Sequence, residues 1–251
     1  MYKVGIDIGS TSCKVIVLKN EEIIHKIIKP TGWSSVETAN SVKDELEEMG
    51  INKDNAYFVS TGYGRVSVPF ADKKITEITC HGVGAAHMFG EDGVVLDIGG
   101  QDTKVITIEG GKVQDFLMND KCSAGTGRFL EVMANILGLD IIELSRLSIE
   151  GEGTFISSMC TVFAESEVIS LIGSGARKED IAFAVIDSIA SKVKTICHKH
   201  NKVSKYFLTG GLCENVYFIK QLSKKLDAEV ETSPLGRFAG ALGAALLGKD
   251  K

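Results

Sequence analysis

Apolar and polar residues alternate in two separate parts of the chain, and in both parts the period is that of β-strands. The first part predicts strands at 3–8, 14–18 and 23–28, a helix at 36–49 that Gly50 ends, and a strand at 56–60. The second part repeats the three-strand plan at 94–98, 104–108 and 112–116. Because one supersecondary unit occurs twice, we expect an α/β protein with two related lobes.

Beyond the second set of strands, the apolar spacing is mostly that of helices. Helices are predicted at 127–137, 161–172 and 178–200, and a strand at 206–209. We expect the first lobe to cover residues 1–93 and the second lobe to cover residues 94–251. A C-terminal helix that returns to the first lobe is an additional option.

Composition argues against several classes of partner. Of the 251 residues, 44% are hydrophobic, which is ample for a core. The 28 basic and 33 acidic residues give a net charge of −5, so neither nucleic acid nor an anionic membrane is an expected partner. No apolar run reaches about 18 residues, and the first residues predict a strand instead of a signal peptide. We therefore expect a cytoplasmic protein.

Two glycine turns carry a nucleotide-binding pattern. In Asp7-Ile-Gly-Ser-Thr and Asp97-Ile-Gly-Gly-Gln-Asp, an aspartate ends a predicted buried strand and a glycine turn follows. The N–H groups of such turns approach phosphate oxygens without obstruction by side chains. We expect the two aspartates to hold Mg²⁺ through water, since this ion prefers one or two carboxylates together with phosphate oxygens.

A third glycine pair follows the predicted strand at 206–209. In Leu208-Thr-Gly-Gly-Leu, the glycines allow the backbone to lie flat against an adenosine. Each motif alone is also typical of an ordinary tight turn, but the three in this order favour ATP binding. The chain has no Gly-x-x-x-x-Gly-Lys-Ser/Thr sequence, which excludes a P-loop ATPase, and Gly82-Val-Gly84 lacks the third glycine of a dinucleotide fingerprint.

Two of the six cysteines, Cys122 and Cys160, stand where predicted helices open. The partial positive charge of a helix N-terminus stabilises a thiolate and an anionic cluster bound to it. Two thiolates do not complete a four-ligand iron or zinc site, whereas a twofold dimer supplies the same pair twice. The other cysteines are expected to be structural residues and not metal ligands: Cys13, Cys80, Cys197 and Cys213.

Together these motifs resemble the sugar kinase, heat-shock chaperone and actin superfamily, whose phosphate 1, phosphate 2 and adenosine motifs occur in this order. The chain is more similar to one branch, the activators of 2-hydroxyacyl-CoA dehydratases, or CoA-substrate-specific enzyme activases. The resemblance extends over essentially all 251 residues and is carried by 119–129, 160–169, Thr61-Gly-Tyr-Gly-Arg65, Glu77-Ile-Thr-Cys-His81 and Ser233-Pro-Leu. It implies a two-lobed actin-like (ribonuclease H-like) ATPase fold with duplicated mixed β-sheet units.

The resemblance also implies a function. In this branch a homodimer binds one 4Fe-4S cluster between its subunits, and ATP hydrolysis drives one electron into a partner enzyme at very low potential. The cluster-binding cysteines of the branch match Cys122 and Cys160. The implied donor is reduced ferredoxin or flavodoxin, the implied acceptor is a dehydratase or reductase, and the protein is expected to be oxygen-sensitive.

The nucleotide-facing positions of the branch carry over residue by residue. The resemblance places ATP or ADP against Ser10, Thr11, Ser12, Cys13, Lys14, Gly99, Gly100, Gln101, Gly210 and Gly211. Arg237 stands at a base-contacting position where relatives have glutamine. Asp7, Asp97 and Gln101 are the catalytic residues that the resemblance suggests, and Gln101 or Asp7 would orient the attacking water.

Several functions remain open at this point. Within the branch, the acceptor is a 2-hydroxyacyl-CoA dehydratase, a benzoyl-CoA-type reductase or a double-cubane cluster protein. A small-molecule kinase of the same superfamily is a second hypothesis, and it requires a substrate pocket and a catalytic base but no iron. A non-enzymatic actin-like assembly protein, recognisable by nucleotide-dependent polymerisation, is the third.

Overall fold

The computed structural model describes residues 1–158, 160–198 and 203–249, and within them the strands form two five-stranded sheets. The first sheet contains β1 (Tyr2–Ile8), β2 (Ser12–Lys19), β3 (Glu22–Pro30), β4 (Ala56–Thr61) and β5 (Lys73–Lys74). Its order is β3-β2-β1-β4-β5. Strand β1 is antiparallel to β2 and parallel to β4, which is parallel to β5, so the sheet is mixed.

The second sheet repeats the strand order of the first. It contains β6 (Gly93–Ile98), β7 (Thr103–Glu109), β8 (Lys112–Asn119), β9 (Lys205–Gly210) and β10 (Glu229–Thr232). The strands lie in the order β10-β9-β6-β7-β8. Starting from the other edge, this order is β8-β7-β6-β9-β10, and its strands correspond one by one to β3-β2-β1-β4-β5 of the first sheet. The predicted duplication of one strand unit is therefore confirmed.

Eight α-helices accompany the sheets in the described part of the chain. They are α1 (Ser35–Glu48), α2 (Glu77–Phe89), α3 (Gly127–Ile136), α4 (Ile141–Leu147), α5 (Thr161–Gly173), α6 (Lys178–Cys197), α7 (Val216–Leu226) and α8 (Ala239–Leu246). The predicted helices at 36–49, 127–137 and 161–172 are confirmed within two residues. The helix predicted at 178–200 corresponds to α6, and its last two predicted residues lie outside the described residues.

By their internal contacts the residues fall into two compact units. One unit comprises Met1–Val95, Ile106–Phe116 and the residues from Ser233 onward, and the other comprises Leu96–Val105 and Leu117–Thr232. The division into lobes at residues 93 and 94 stays a prediction.

The core of the first unit lies around the first sheet. One face of α1 is buried through Ala39, Val42 and Leu46, which are spaced for one side of a helix. On α8, Gly243 lies so close to the carbonyl group of Cys80 in α2 that a Cβ at this position would overlap it. Glycine therefore permits the close packing of these two helices.

Candidate functional site

The first glycine turn joins β1 to β2. The amide of Gly9 donates to the carbonyl oxygen of Ser12 over 3.1 Å, which closes the turn and leaves Ser10 and Thr11 exposed. The Nζ of Lys14 lies 3.6 Å from the position that a Cβ on Gly9 would occupy. This ammonium therefore lies beside the turn, where it attracts an anion such as phosphate.

Cys13 lies next to this turn, but its side chain faces the core. It is fully buried among apolar residues of the first sheet. Burial, assisted by the nearby carboxylate of Asp7, raises the pKa of Cys13 to about 12. A contact between Cys13 and a nucleotide would therefore involve its backbone and not its thiol.

Asp7 lies at the end of β1 and is only 3% exposed. Two glycines leave space for its carboxylate, because they have no Cβ atom. A Cβ at Gly62 would overlap Oδ1, and a Cβ at Gly240 would lie 2.7 Å from Oδ2. The Nε2 of His81 lies 3.9 Å from Oδ2 of Asp7 and 3.8 Å from Oε1 of Glu77. The structure thus brings His81, a residue of the motif Glu77-Ile-Thr-Cys-His81, beside the predicted catalytic aspartate.

The second glycine turn joins β6 to β7 and contains a buried ion cluster. The amide of Gly99 donates to the carbonyl oxygen of Asp102 over 2.9 Å and closes the turn. Asp97 is 2% exposed, and its Oδ1 accepts a hydrogen bond from Thr209 over 2.9 Å. Its Oδ2 accepts one from Lys104 over 3.2 Å, and Lys104 also donates to Oδ1 of Asp102 over 2.8 Å.

Sequence reasoning missed Lys104, although the chain contains a signal for it. Lys104 follows Asp97 by seven residues, and Lys14 follows Asp7 by the same interval in the first hairpin. In the first hairpin the register pairs Asp7 directly with Lys14 across the strands. The repeated spacing therefore indicated that a lysine accompanies each aspartate.

The remaining nucleotide motifs occupy turns or short helices. Gly210 has a φ of 88°, and a Cβ there would overlap the carbonyl group of Ile98, so this position requires glycine. The amide of Gly211 donates to the same carbonyl oxygen over 3.0 Å. Gln101 is exposed on the second glycine turn, and Arg237 is half-buried in a short 3₁₀-helix.

The two candidate metal ligands differ in their local structure. Cys160 is exposed and is the N-cap residue of α5, so it opens a helix as the sequence predicts. Cys122 is half-buried and lies five residues before α3 begins, so it belongs to the preceding loop and does not itself open the helix. A turn between Ser123 and Thr126, with Gly125 at a φ of 87°, separates Cys122 from the helix.

Hydrogen bonds join the segments that carry the two cysteines. The hydroxyl groups of Ser123 and Thr161, each the next residue after a candidate ligand, lie 2.6 Å apart. The amide group of Asn119 donates to the carbonyl oxygens of Cys122 over 2.8 Å and Ala124 over 3.2 Å. The structure thus brings the predicted cysteine segments together.

The cysteine loop is also bonded to the second glycine turn. The first two amides of α3, from Gly127 and Arg128, donate to the carbonyl oxygens of Gly99 over 2.9 Å and Gly100 over 2.8 Å. Thr103, at the start of β7, donates through its hydroxyl group to the carbonyl oxygen of Gly125 over 2.7 Å. A change in the glycine turn would therefore act directly on the loop that contains the first cysteine.

The other four cysteines are poor candidates for metal ligands. All four are buried: Cys13, Cys80, Cys197 and Cys213. Burial raises the pKa of Cys80 and that of Cys197 to about 12, which disfavours the thiolate that binds metal. Cys122 and Cys160 are thus the accessible thiols of the chain, and they fit half of a four-cysteine cluster site.

The segment before Cys160 is held by a carboxylate on α5. Glu167 accepts hydrogen bonds from the amide of Ser157 over 2.9 Å, from its hydroxyl group over 3.1 Å, and from the amide of Ser158 over 3.1 Å. Burial raises the pKa of Glu167, but these hydrogen bonds together outweigh burial and bring that pKa below its usual value. Glu167 therefore anchors this segment as a carboxylate.

Glu167→Gln is expected to lower the free energy of unfolding by about 1 kcal/mol at neutral pH, because three donors lose a charged acceptor. A carboxyl group with a depressed pKa in the folded protein stabilises it above the unfolded-state pKa. This contribution disappears as pH falls through the folded-state value. Urea denaturation at neutral and acidic pH measures the effect. Glu165→Gln, which removes the same charge from the same helix, is the control, and equal losses in both variants would contradict the assignment.

The duplicated sheets and the glycine turns at their strand ends define a class of protein, the actin-like ATPases. A glucokinase of the ROK family from Streptomyces griseus shares this fold, with a TM-score of 0.63 at 14% identity over 99% of each chain. A model of the BadF/BadG/BcrA/BcrD ATPase family matches residues 4–248, and the chain belongs to this family.

One relative within the family is similar over nearly its whole length. The (R)-2-hydroxyglutaryl-CoA dehydratase activating ATPase of Acidaminococcus fermentans is 44% identical over 100% of this chain and 98% of its own. The crystal structure of component A of that dehydratase gives a TM-score of 0.92 at 43% identity, covering 99% of this chain and 97% of that one.

Two further relatives extend the comparison. The activator of the 2-hydroxyisocaproyl-CoA dehydratase from Clostridium difficile, solved with bound ADPNP, gives a TM-score of 0.90 at 38% identity over 98% of this chain and 93% of that one. A component of the benzoyl-CoA reductase from Thauera aromatica is 29% identical over 97% of this chain and 92% of its own. The expected ATPase class and fold are therefore confirmed. None of the described helices is both long and apolar enough to cross a membrane.

Proposed function

We propose that this ATPase is a cytoplasmic, oxygen-sensitive activator that passes one electron to a 2-hydroxyacyl-CoA dehydratase. The observation that carries the proposal is the hydrogen-bonded path from the second glycine turn to the two accessible cysteines. Gly99 and Gly100 accept hydrogen bonds from the start of α3, and Ser123 links the cysteine loop to Thr161 at the start of α5. Phosphoryl transfer by a simple kinase does not require the two cysteines at the end of this path.

The proposed cofactor is one 4Fe-4S cluster held by Cys122 and Cys160 from each of two identical subunits. The cluster would supply one-electron chemistry at low potential. The need for a second subunit is supported by the surface of α5 beside Cys160, where large apolar side chains are exposed: Val162, Phe163, Ile169 and Ile172. Apolar surface of this kind is typical of an interface between protein chains.

The proposed nucleotide is ATP, with Mg²⁺ held by water molecules on Asp7 and Asp97. The structure supports a water-mediated role for Asp97, because both of its carboxylate oxygens already accept hydrogen bonds from protein groups. Ser10, Thr11 and Lys14 lie at the first turn, where they would contact phosphate, and Gln101 is exposed at the second turn, where it would orient water.

ATP hydrolysis would act on the cysteine segments through their bonds to the second glycine turn. If the carbonyl groups of Gly99 and Gly100 move, the N-terminus of α3 must follow, and with it the loop that contains Cys122. For a one-electron couple, about 5 kcal/mol of coupled free energy corresponds to roughly 200 mV. This magnitude explains why an electron donor of this kind would be an ATPase.

The proposed acceptor class is supported by two relatives, an activating ATPase and an activator of acyl-CoA dehydratases. The similarity to a component of a benzoyl-CoA reductase makes a reductase of that type the second candidate acceptor. A double-cubane cluster protein is a further candidate acceptor. Reduced ferredoxin or flavodoxin is the proposed donor. A small-molecule kinase shares the fold but has no role for two accessible cysteines.

Stopped-flow spectroscopy of electron transfer to the acceptor tests this function. With the reduced protein, transfer is expected with ATP and is expected to be at least about tenfold slower with ADP or a non-hydrolysable analogue. Gln101→Ala is expected to bind ATP and accept the electron but to transfer it slowly. Equal transfer rates with all three nucleotides would reduce the protein to a simple electron carrier and refute the coupling.

A further inference from the structure

The hairpin of the second glycine turn contains an ammonium group that the proposed hydrolysis does not use. Lys104 is 1% exposed, and its Nζ donates to Asp102 over 2.8 Å and to Asp97 over 3.2 Å. Burial of an ammonium is costly unless it is paired and hydrogen-bonded. Because Asp97 precedes the turn and Asp102 follows it, one cation bonds both ends of the turn.

The first hairpin is an internal comparison for this arrangement. Lys14 follows Asp7 by seven residues, just as Lys104 follows Asp97. The position that corresponds to Asp102, however, is occupied by Ser12. Lys14 is half-buried beside its turn, whereas Lys104 is almost fully buried. The lysine is thus almost fully buried in the hairpin that has a second carboxylate and only half-buried in the hairpin that lacks one.

We propose that Lys104 is a positioning residue that serves as an internal counter-ion for Asp97 and Asp102. In the absence of nucleotide it holds both carboxylates at the turn and prevents a divalent cation from binding to the pair. Two neighbouring carboxylates without it are the hard oxygen ligands that Mg²⁺ and Mn²⁺ prefer. Affinity for the cation then comes from the phosphates of ATP, so metal and nucleotide enter together.

This proposal concerns the ATPase site and is independent of the iron–sulfur cluster, but it rests on the Mg²⁺ role proposed for Asp97. Mn²⁺ titration of the wild-type protein and of Asp97→Asn with ATP present, each compared with ATP alone because ATP itself binds Mn²⁺, tests that role separately. A wild-type protein that binds Mn²⁺ with ATP but not without it satisfies the first condition of the proposal. Strong Mn²⁺ binding to the nucleotide-free wild-type protein at this pair would overturn it.

Lys104→Met tests the counter-ion directly, because methionine has a similar length and no charge. In nucleotide-free protein, electron paramagnetic resonance of free Mn²⁺ is expected to show binding at least about tenfold tighter than in the wild type. Lys112→Met, which removes an exposed lysine, is the control and is expected to match the wild type. Unchanged Mn²⁺ affinity in Lys104→Met would overturn the proposal.

A double variant, Lys104→Met with Asp102→Ser, separates charge from shape. It removes one charge of each sign, so the gain in Mn²⁺ affinity is expected to vanish, and a gain that persists would contradict the carboxylate pair. If Lys104→Met alone does not fold, urea denaturation of the double variant decides whether Lys104 acts as a counter-ion. Recovery of a folded protein supports the counter-ion, because the surplus negative charge has gone, and equal loss of folding refutes it.

Discussion

Cys122→Ser and Cys160→Ser are each expected to abolish iron binding in the anaerobically purified protein. The reason is that each subunit supplies two accessible thiols, so loss of one removes half of a shared four-ligand site. The wild type is expected to be brown and to contain about four irons per dimer. Iron analysis and the visible absorption spectrum measure the loss, and gel filtration after chelation is expected to show a weakened dimer.

The matched control for this prediction is Cys197→Ala. Cys197 is buried in α6, so its replacement is expected to change stability and to leave the iron content unaltered. Full iron occupancy in either Cys122→Ser or Cys160→Ser would exclude the bridging arrangement. Loss of iron in all three variants would point instead to unfolding.

Asp7→Asn and Asp97→Asn are each expected to reduce ATP hydrolysis by roughly a hundredfold or more, with the iron–sulfur spectrum preserved. Both carboxylates are buried at the end of a strand that leads into a glycine turn. An amide of the same shape lacks the negative charge and the second acceptor oxygen, so it holds the hydrated cation that neutralises charge on the phosphates much more weakly. A steady-state phosphate-release assay measures hydrolysis, and absorbance measures the cluster.

Asp92→Asn is the matched control for the aspartate variants. Asp92 accepts hydrogen bonds from Gly110 over 2.6 Å and Gly111 over 2.9 Å, so it also supports a hairpin turn through its carboxylate. Its replacement is expected to weaken that hairpin without affecting hydrolysis. Similar hydrolysis in Asp97→Asn and the wild type would remove Asp97 from the catalytic residues, and the same result for Asp7→Asn would remove Asp7.

Strands β1 to β4 and β6 to β9 and helices α1, α3, α5 and α6 could be predicted because their apolar residues repeat with a clear period. Strands β5 and β10 and helix α7 were not predicted, and no bounds were predicted for α8. Helix α2 could not be predicted, since Gly82 and Gly84 are poor helix formers that depend on tertiary packing. Helix α4 has only seven residues, too few for a periodic signal. Its local signal was the capping box in which Asp140 and Glu143 each accept a hydrogen bond from the backbone of the other.

The candidate site was only partly predictable, because its motifs are local in sequence but the contacts between them are not. The glycine turns and the cysteines are local motifs, and a hydrogen bond in the structure joins the two cysteine segments. The bond between Ser123 and Thr161 joins residues 38 positions apart, and no local pattern encodes such a pairing. The burial of Lys104 likewise depends on where the chain folds its two carboxylates.

The repeated strand order of the two sheets has an evolutionary consequence. Duplication and fusion of a gene for one five-stranded unit would leave this arrangement, with two copies of the unit in one chain. One copy retains Ser12 and a lysine with access to solvent, while the other has Asp102 and a lysine enclosed by carboxylates. Positions that correspond in the two hairpins thus carry different residues in different surroundings, so a role assigned in one hairpin does not transfer to the other by position alone.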